Sequence, residues 1–180
     1  EEPIENVIIQ LDGVIDGNKV IHPYNKGGVE GIDWKWVKNS CIIGNGIIRD
    51  ANGDGIDLDV VYQCYFEGIR LLNNDGGGIH FGSPRPIRPS IGNLVFNCYS
   101  IGNGFYHKRS GFDHSWPNVN GVTYMFCEAQ DNYQNYQIEG SGAIIISCKS
   151  INLGKVEIED EVDQTLYSEI NDNINVPEEI

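Results

Sequence analysis

Gly55-Ile56-Asp57-Leu58 and Gly78-Ile79-His80-Phe81 decide the fold. With Gly31-Ile32-Asp33-Trp34 and Gly111-Phe112-Asp113-His114 they form a recurring phrase, a Gly before an alternating apolar/polar pair. Segments ending in Cys recur beside them: Asn39-Ser40-Cys41, Tyr62-Gln63-Cys64, Phe96-Asn97-Cys98, Met125-Phe126-Cys127 and Ile146-Ser147-Cys148. The step from Cys41 to Gly55 equals that from Cys64 to Gly78, and Cys98 to Gly111 is one residue shorter. A repeat of roughly 21 to 34 residues, each unit a set of short strands, is the mark of a solenoid.

The strand signals are short, rich in β-branched and aromatic residues, and bounded by Gly, Asn and Asp. They run over Asn6 to Leu11, Cys41 to Ile43, Gly55 to Asp59, Gly78 to Phe81, Asn93 to Cys98, Val122 to Cys127 and Ala143 to Cys148. No window keeps a 3.6-residue period, so helices are expected to be minor. Three short parallel strands per coil, each pairing with its equivalent one coil on, fit this pattern, with rungs about 4.8 Å apart. The Cys series and the Ile32, Ile56, Ile79, Phe112 series are then expected to be inward ladders. Asn45, Asn103, Asn132 and Asn152 are expected to satisfy turn backbone.

The 180 residues suit one domain, and the net charge of −14 is unevenly spread. Nine of the 26 acids lie beyond Val156, where there is no Lys or Arg, leaving 17 acids against 12 bases before it. Residues 1–156 are therefore expected to form the solenoid and 157–180 an acidic tail or cap. An acidic chain without a basic stripe argues against nucleic acid. No run approaches the ~18 apolar residues of a membrane span, so no membrane insertion is expected. Five Cys without metal-ligand spacing read as small buried residues.

Alternation along a strand turns the residue after each inward Ile or Phe outward. Asp33, Asp57, His80 and Asp113 thus make an exposed column, flanked by Lys35, Asp59 and Ser115, with Glu30 and Asp54 at the preceding turns. Crowded carboxylates repel unless a cation or a raised pKa relieves them, and Ca²⁺ accepts the irregular oxygen geometry of a turn; solvated turn acids are the plainer reading. His80, neutral at its ordinary pKa, is the candidate base. Arg85, Arg88, Lys108 and Arg109 are candidate partners for substrate carboxylates, and Tyr99, Tyr106, Trp116, Tyr124, Tyr133 and Tyr136 are an aromatic column that could stack on sugars.

The rungs from Gly53 to Leu153 resemble right-handed, single-stranded parallel β-helix proteins of the pectate lyase type, closest to the family 9 pectate lyases. The resemblance rests on Asp54-Gly55-Ile56-Asp57-Leu58, Gly78-Ile79-His80-Phe81-Gly82, Asn97-Cys98, Gly111-Phe112-Asp113 and Asn132-Tyr133. It implies Ca²⁺ ligation by Glu30, Asp54 and Asp57, and places His80 where the family has its catalytic Lys. The implied activity is Ca²⁺-dependent β-elimination on an acidic polysaccharide, with Arg85, Arg88, Lys108, Arg109 and Asp113 around the substrate. Phage tailspikes share the architecture, so a module binding a cell-surface glycan is the alternative, and a glycoside hydrolase using Asp57 with Asp59 or Asp113 is a third. A lyase is expected to be a secreted monomer, and a tailspike segment a homotrimer on a virion surface.

Overall fold

Stacked glycines set the coil. The computed structural model describes residues 2–19, 28–82, 89–114, 118–138 and 142–152, and the backbone of 155–158. A Cβ on Gly31 would lie 2.6 Å from the Gly55 carbonyl oxygen, one on Gly55 2.9 Å from that of Gly78, and one on Gly78 2.3 Å from that of Gly111. Only Gly lets successive coils approach this closely at that corner, which is why the phrase begins with it each time.

The first coil contains β1 (Ile4–Glu5), β2 (Ile8–Gln10) and β3 (Val14–Asp16), and the second β4 (Ile32–Lys38), β5 (Cys41–Ile43) and β6 (Ile47–Arg49). The third holds β7 (Ile56–Tyr62), β8 (Tyr65–Glu67) and β9 (Arg70–Leu72). The fourth holds β10 (Ile79–Gly82), β11 (Ser90–Ile91), β12 (Leu94–Phe96) and β13 (Tyr99–Ile101). The fifth holds β14 (Ser110–His114), β15 (Val119–Asn120), β16 (Thr123–Met125) and β17 (Glu128–Gln130). Last come β18 (Gln134–Ile138), β19 (Ile144–Ile146), β20 (Lys149–Ile151) and β21 (Lys155–Ile158).

Equivalent strands pair in parallel into three sheets. The first runs β1-β4-β7-β10-β14-β18-β21 with β11 and β15 alongside, the second β2-β5-β8-β12-β16-β19, the third β3-β6-β9-β13-β17-β20. The chain is a right-handed parallel β-helix without helices among the described residues, the hand that crossovers between parallel strands take. Pairing in the first sheet continues through Ile158, two residues beyond the expected edge of the solenoid. Residues 159–180, on which the expected tail falls, lie outside the described residues.

Single left-handed residues make the corners. Asn39, Gln63, Gly92, Gly121 and Gly142 turn the chain from the first sheet to the second; Gly44, Gly68, Asn97, Phe126 and Ser147 turn it from the second to the third. Asp50, Asn73, Gly102, Asp131 and Asn152 turn it back to the first. Asn, Asp and Gly tolerate this region best, which explains the composition of the turns.

Inside, Ile42, Phe66, Val95, Tyr124 and Ile145 form the central column of the second sheet, and Ile56, Ile79 and Phe112 that of the first. Phe66 packs on Trp34 and Phe81 at 6.0 and 5.8 Å between ring centroids, and Phe81 on Tyr124 at 6.5 Å. Each such fully buried side chain contributes about 1.5–3 kcal/mol. Tyr124 and Tyr136 belong to this core and are not a sugar-binding surface; Tyr106 and Tyr133 are exposed, and Trp116 lies outside the described residues.

Two expected ladders are corrected by the register. The five Cys do not share a column: Cys41 pairs with Tyr65 on the second sheet, and Cys64 precedes Tyr65 at the level of Ser40 and Asn93. Cys98, Cys127 and Cys148 alone stack, each preceding a third-sheet strand as Ile69 does. The excursions between coils shift the count by the width of a whole side of the triangle. Likewise the buried amide ladder is Asn74-Asn103-Asn132, while Asn45 and Asn152 are exposed. Asn103 Oδ1 accepts from the Asn74 N–H at 2.9 Å, Asn132 Oδ1 accepts from the Asn103 N–H at 2.9 Å, and Asn74 Oδ1 accepts from the Ala51 N–H at 3.0 Å. This ladder closes the corner from which the first-sheet strands start.

Candidate functional site

Parallel pairing without slip carries chemistry into one line. Asp33, Asp57, His80, Asp113 and Gln137 are register partners on five successive strands of the first sheet. With rungs about 4.8 Å apart, their side chains share one outward column. Lys35, Asp59 and Gly82 make the neighbouring one. Glu30, Asp54, Gly77 and Ser110 stand before the four glycines, as the sequence implied, with the Asp54, Gly77 and Ser110 carbonyls accepting from Gly31, Gly55 and Gly78 at 2.9–3.1 Å.

Outward is not exposed here. Asp33 is exposed and Asp57 half-buried, but His80 is 5% and Asp113 1% accessible. Arg109 accounts for part of the cover. It leaves a backbone excursion, Gly104 to Arg109, that folds back over earlier coils: Gly104 N–H donates to Asn74 O, His107 N–H to Asp75 O, and His107 Nε2 lies 3.1 Å from Asn52 O. The Arg109 guanidinium reaches 3.7 Å from Asp113 Oδ2, and Asp113 Oδ2 lies 3.2 Å from His80 Nδ1. Arg109 Nη1 is 3.3 Å from Nδ1 and 3.5 Å from Nε2 of the same ring. A single nitrogen that close to both cannot lie on either in-plane lone pair; it acts as a cation beside the ring.

Asp113 therefore orients His80 through Nδ1 and leaves Nε2 facing the second column. A Cβ on Gly82 would stand 3.4 Å from His80 Nε2 and 2.3 Å from Asp59 Oδ1. Gly82 is thus the gap into which both groups turn. At the level between the Lys35/Asp59 and Val37/Val61 pairs, Trp36 and Val60 take left-handed φ of 59° and 60° and interrupt the pairing without shifting its register. For a β-branched residue this conformation is strained by about 1–3 kcal/mol, and the strain adjoins Asp59.

Burial and like charge push the acids up together. Burial first, and then the neighbouring Asp59, Asp54 and Asp33 against the opposing pull of His80, raise Asp57 to about 6. Asp59 is raised by burial and by Asp33 and Asp54, with Lys35 and His80 opposing. Glu30 is raised chiefly by burial, and Asp54 and Asp33 add to it. His80 is raised as well: burial disfavours its cation and Arg109 repels it, but the hydrogen bond and charge of Asp113, with Asp54, outweigh both. Lys35, ion-paired to Asp33 at 3.1 Å, is held above the usual lysine range by that bond.

Of the expected site, the structure brings Asp57, His80, Asp113 and Arg109 together, and Asp54 borders them: a Cβ on Gly77 would meet Asp54 Oδ1 at 3.3 Å and the Arg109 Cβ at 3.7 Å. Lys108 is exposed on the excursion, and Arg85 and Arg88 lie outside the described residues. Among the described residues no three His, Cys, Asp or Glu side chains stand as a metal-holding group. One Asp54 carboxylate oxygen accepts from the Gly77 N–H. Sequence reasoning missed Gly82; its signal was the Gly that follows Phe81 where the preceding coil has Asp59. Compared with known proteins, the chain matches no protein-family model, no curated protein and no solved structure.

Proposed function

We propose that the outward face of the first sheet cleaves a glycan by acid–base chemistry, with Asp57 as proton donor and Asp59 as base. The observation that carries this is a carboxyl held protonated to about pH 6 by burial among other acids, in line with an oriented histidine. Asp57 and Asp59 are two apart on the same face of β7, so their backbones are about 6.6 Å apart. Inverting glycosidases hold their two carboxyl groups about 6.5–9.5 Å apart, leaving room for water between base and sugar, and side chains that leave one strand face at this backbone spacing can reach such a separation. Asp57 gives its proton to the leaving oxygen, Asp59 takes one from the attacking water, and the hydroxide equivalent joins the anomeric carbon. Arg109 and His80 hold the sugar beside them. On this reading the protein works outside the cell, where polysaccharides are met.

A second reading is favoured by the Asp113–His80 pair. Neutral His80, with Nδ1–H held by Asp113, has Nε2 free to remove the C5 proton of a uronate, as in β-elimination from an acidic polysaccharide. The charge of the face weighs against it: Glu30, Asp33, Asp54, Asp57, Asp59 and Asp113 surround Lys35 and Arg109, both of which already face carboxylates. The family 9 pectate lyase resemblance belongs to this reading.

The test is a panel of neutral and uronate polysaccharides, with Ca²⁺ and with a chelator, followed by reducing ends and by the ultraviolet absorbance of unsaturated products. New reducing ends without absorbance support hydrolysis; absorbance overturns it in favour of elimination. Binding without either product leaves a glycan-recognition module, and no binding at all sinks the assignment. Gly82→Ala is expected to lower kcat by about 10²-fold, since its methyl would displace Asp59 Oδ1 and crowd His80 Nε2, and catalytic groups tolerate displacements well under 1 Å. Its melting temperature is expected to stay within a few degrees of wild type, measured alongside kcat.

A further inference from the structure

Among the described residues the second sheet has an outer face without a partner and almost without charge. Each of its strands is a triplet whose flanking residues face out and whose middle residue is buried, or partly buried in β2. The two outward columns read Ile8, Cys41, Tyr65, Leu94, Thr123, Ile144 and Gln10, Ile43, Glu67, Phe96, Met125, Ile146. Of these twelve, nine are apolar or aromatic and only Glu67 is charged at neutral pH, its carboxylate accepting from Tyr65 Oη at 2.8 Å. Tyr65, Phe96 and Phe126 continue the surface as rings 6.5 and 5.7 Å apart, and Phe126 at the corner is 50% exposed. Antiparallel sheets with one wet face alternate apolar and polar residues; here both faces of a parallel sheet are apolar, the pattern of a sheet covered on both sides.

We propose that this face packs against the same face of a second copy of the chain. The other two sheets are charged outside: the first carries Asp33, Asp57 and Lys35, the third Asp16, Arg49, Arg70, Glu128 and Lys149. Copies that each carry a net charge of −14 repel wherever charge is exposed, and the second sheet is where that repulsion is least. A cationic partner would choose the acidic column of the first sheet, and an anionic membrane would be repelled by the chain as a whole. Six strands about 4.8 Å apart and three residues long give a strip of roughly 300 Å². That is less than the roughly 800 Å² a standard interface takes from each partner, so the pair forms in a concentration-dependent way. A two-fold axis through the middle of the strip sets β8 of one copy over β12 of the other, bringing Phe96 into the centre and the two Glu67 carboxylates toward each other.

Sedimentation equilibrium on the full chain, loaded from about 1 to 300 µM, tests this. The mass is expected to rise from that of one 20.0 kDa chain toward two. Phe96→Lys, with unchanged circular dichroism, is expected to hold it at one copy. Glu67→Gln, which keeps an acceptor for Tyr65 and removes the central like charges, is expected to tighten the pair at least several-fold. A single-copy mass throughout overturns the proposal, as does association that both variants leave unchanged. A single copy that also fails to brighten an apolar dye, the result if the chain's own residues cover the strip, overturns it too.

Discussion

Asp57→Asn is expected to lose cleavage while gaining stability at pH 8. The amide keeps the shape of the carboxyl but has no proton to give, so kcat is expected to fall by about 10²–10⁴-fold, the usual contribution of a general acid. The stability effect has the opposite sign. The pKa of Asp57 in the folded protein stands at about 6 against an ordinary 3.8, because burial and neighbouring acids disfavour its charge. The folded state therefore binds the proton more tightly than the unfolded chain. The stabilisation this gives is complete below about pH 4 and is lost as pH rises through about 6. A shift of about two pH units corresponds to roughly 3 kcal/mol, but Asp57 is half solvated, and screening reduces this to about 1–2 kcal/mol.

Asn is neutral at every pH and incurs no such loss. Urea unfolding of both proteins at pH 4 and pH 8 is expected to show a gain for the variant of about 1–2 kcal/mol at pH 8 only. A variant equally destabilised at both values would mean that Asp57 is an ordinary solvated turn acid. For wild type, kcat is expected to fall as pH rises through about 6, since the proton donor is then lost. Sites that carry a strained or disfavoured charge for their chemistry commonly gain stability when it is removed.

The fold was legible because its signal is local. In Gly55-Ile56-Asp57-Leu58 the alternation gives inside and outside within four residues, and the close approach at Gly55 and Gly78 forbids a Cβ, so the phrases aligned Asp57 with His80 and Asp113 without error. The Cys assignment failed because it counted across corners: Cys64 to Cys98 passes an excursion, and the residue before a strand of the second sheet was equated with the residue before one of the third. Burial of the column was also hidden. Arg109 lies 29 residues from His80 in sequence, and only the folding-back of Gly104 to Arg109 onto Asn74 and Asp75 brings its guanidinium to the ring. Asn74 was overlooked because Asn73 precedes it; the first takes the left-handed corner and the second turns its amide inward. The apolar outer face was written in triplets such as Leu94-Val95-Phe96, where a half-wet strand would alternate.

Asn103→Leu is expected to be the most destabilising single change in the corner ladder. Leu has the branched heavy-atom shape of Asn and is larger, so the core is not opened; the cost falls on hydrogen bonds, with overpacking adding to it. Asn103 Oδ1 accepts from both the N–H and the Nδ2 of Asn74 at 2.9 Å, and Asn103 Nδ2 donates to Leu71 O at 2.8 Å. All of these residues are buried, which keeps bulk water from the groups left without partners. Each unsatisfied buried group costs about 1–3 kcal/mol, which for the Asn74 N–H and the Leu71 carbonyl together with the Asn74 amide gives about 3–9 kcal/mol. Against a total stability of about 5–15 kcal/mol, that brings the chain near its unfolding threshold. Asn45→Leu, at an exposed asparagine, is the control and is expected to stay within about 0.5 kcal/mol of wild type. Urea midpoints compare them, and a cost for Asn103→Leu below about 1 kcal/mol would mean that the ladder is not what holds the corner. The ladder ties together the coils that present Asp57, His80 and Asp113, each through the turn just before its strand. A weaker change in it, Asn74→Ser, is therefore expected to loosen the register of those three side chains and lower kcat at temperatures where the chain remains folded.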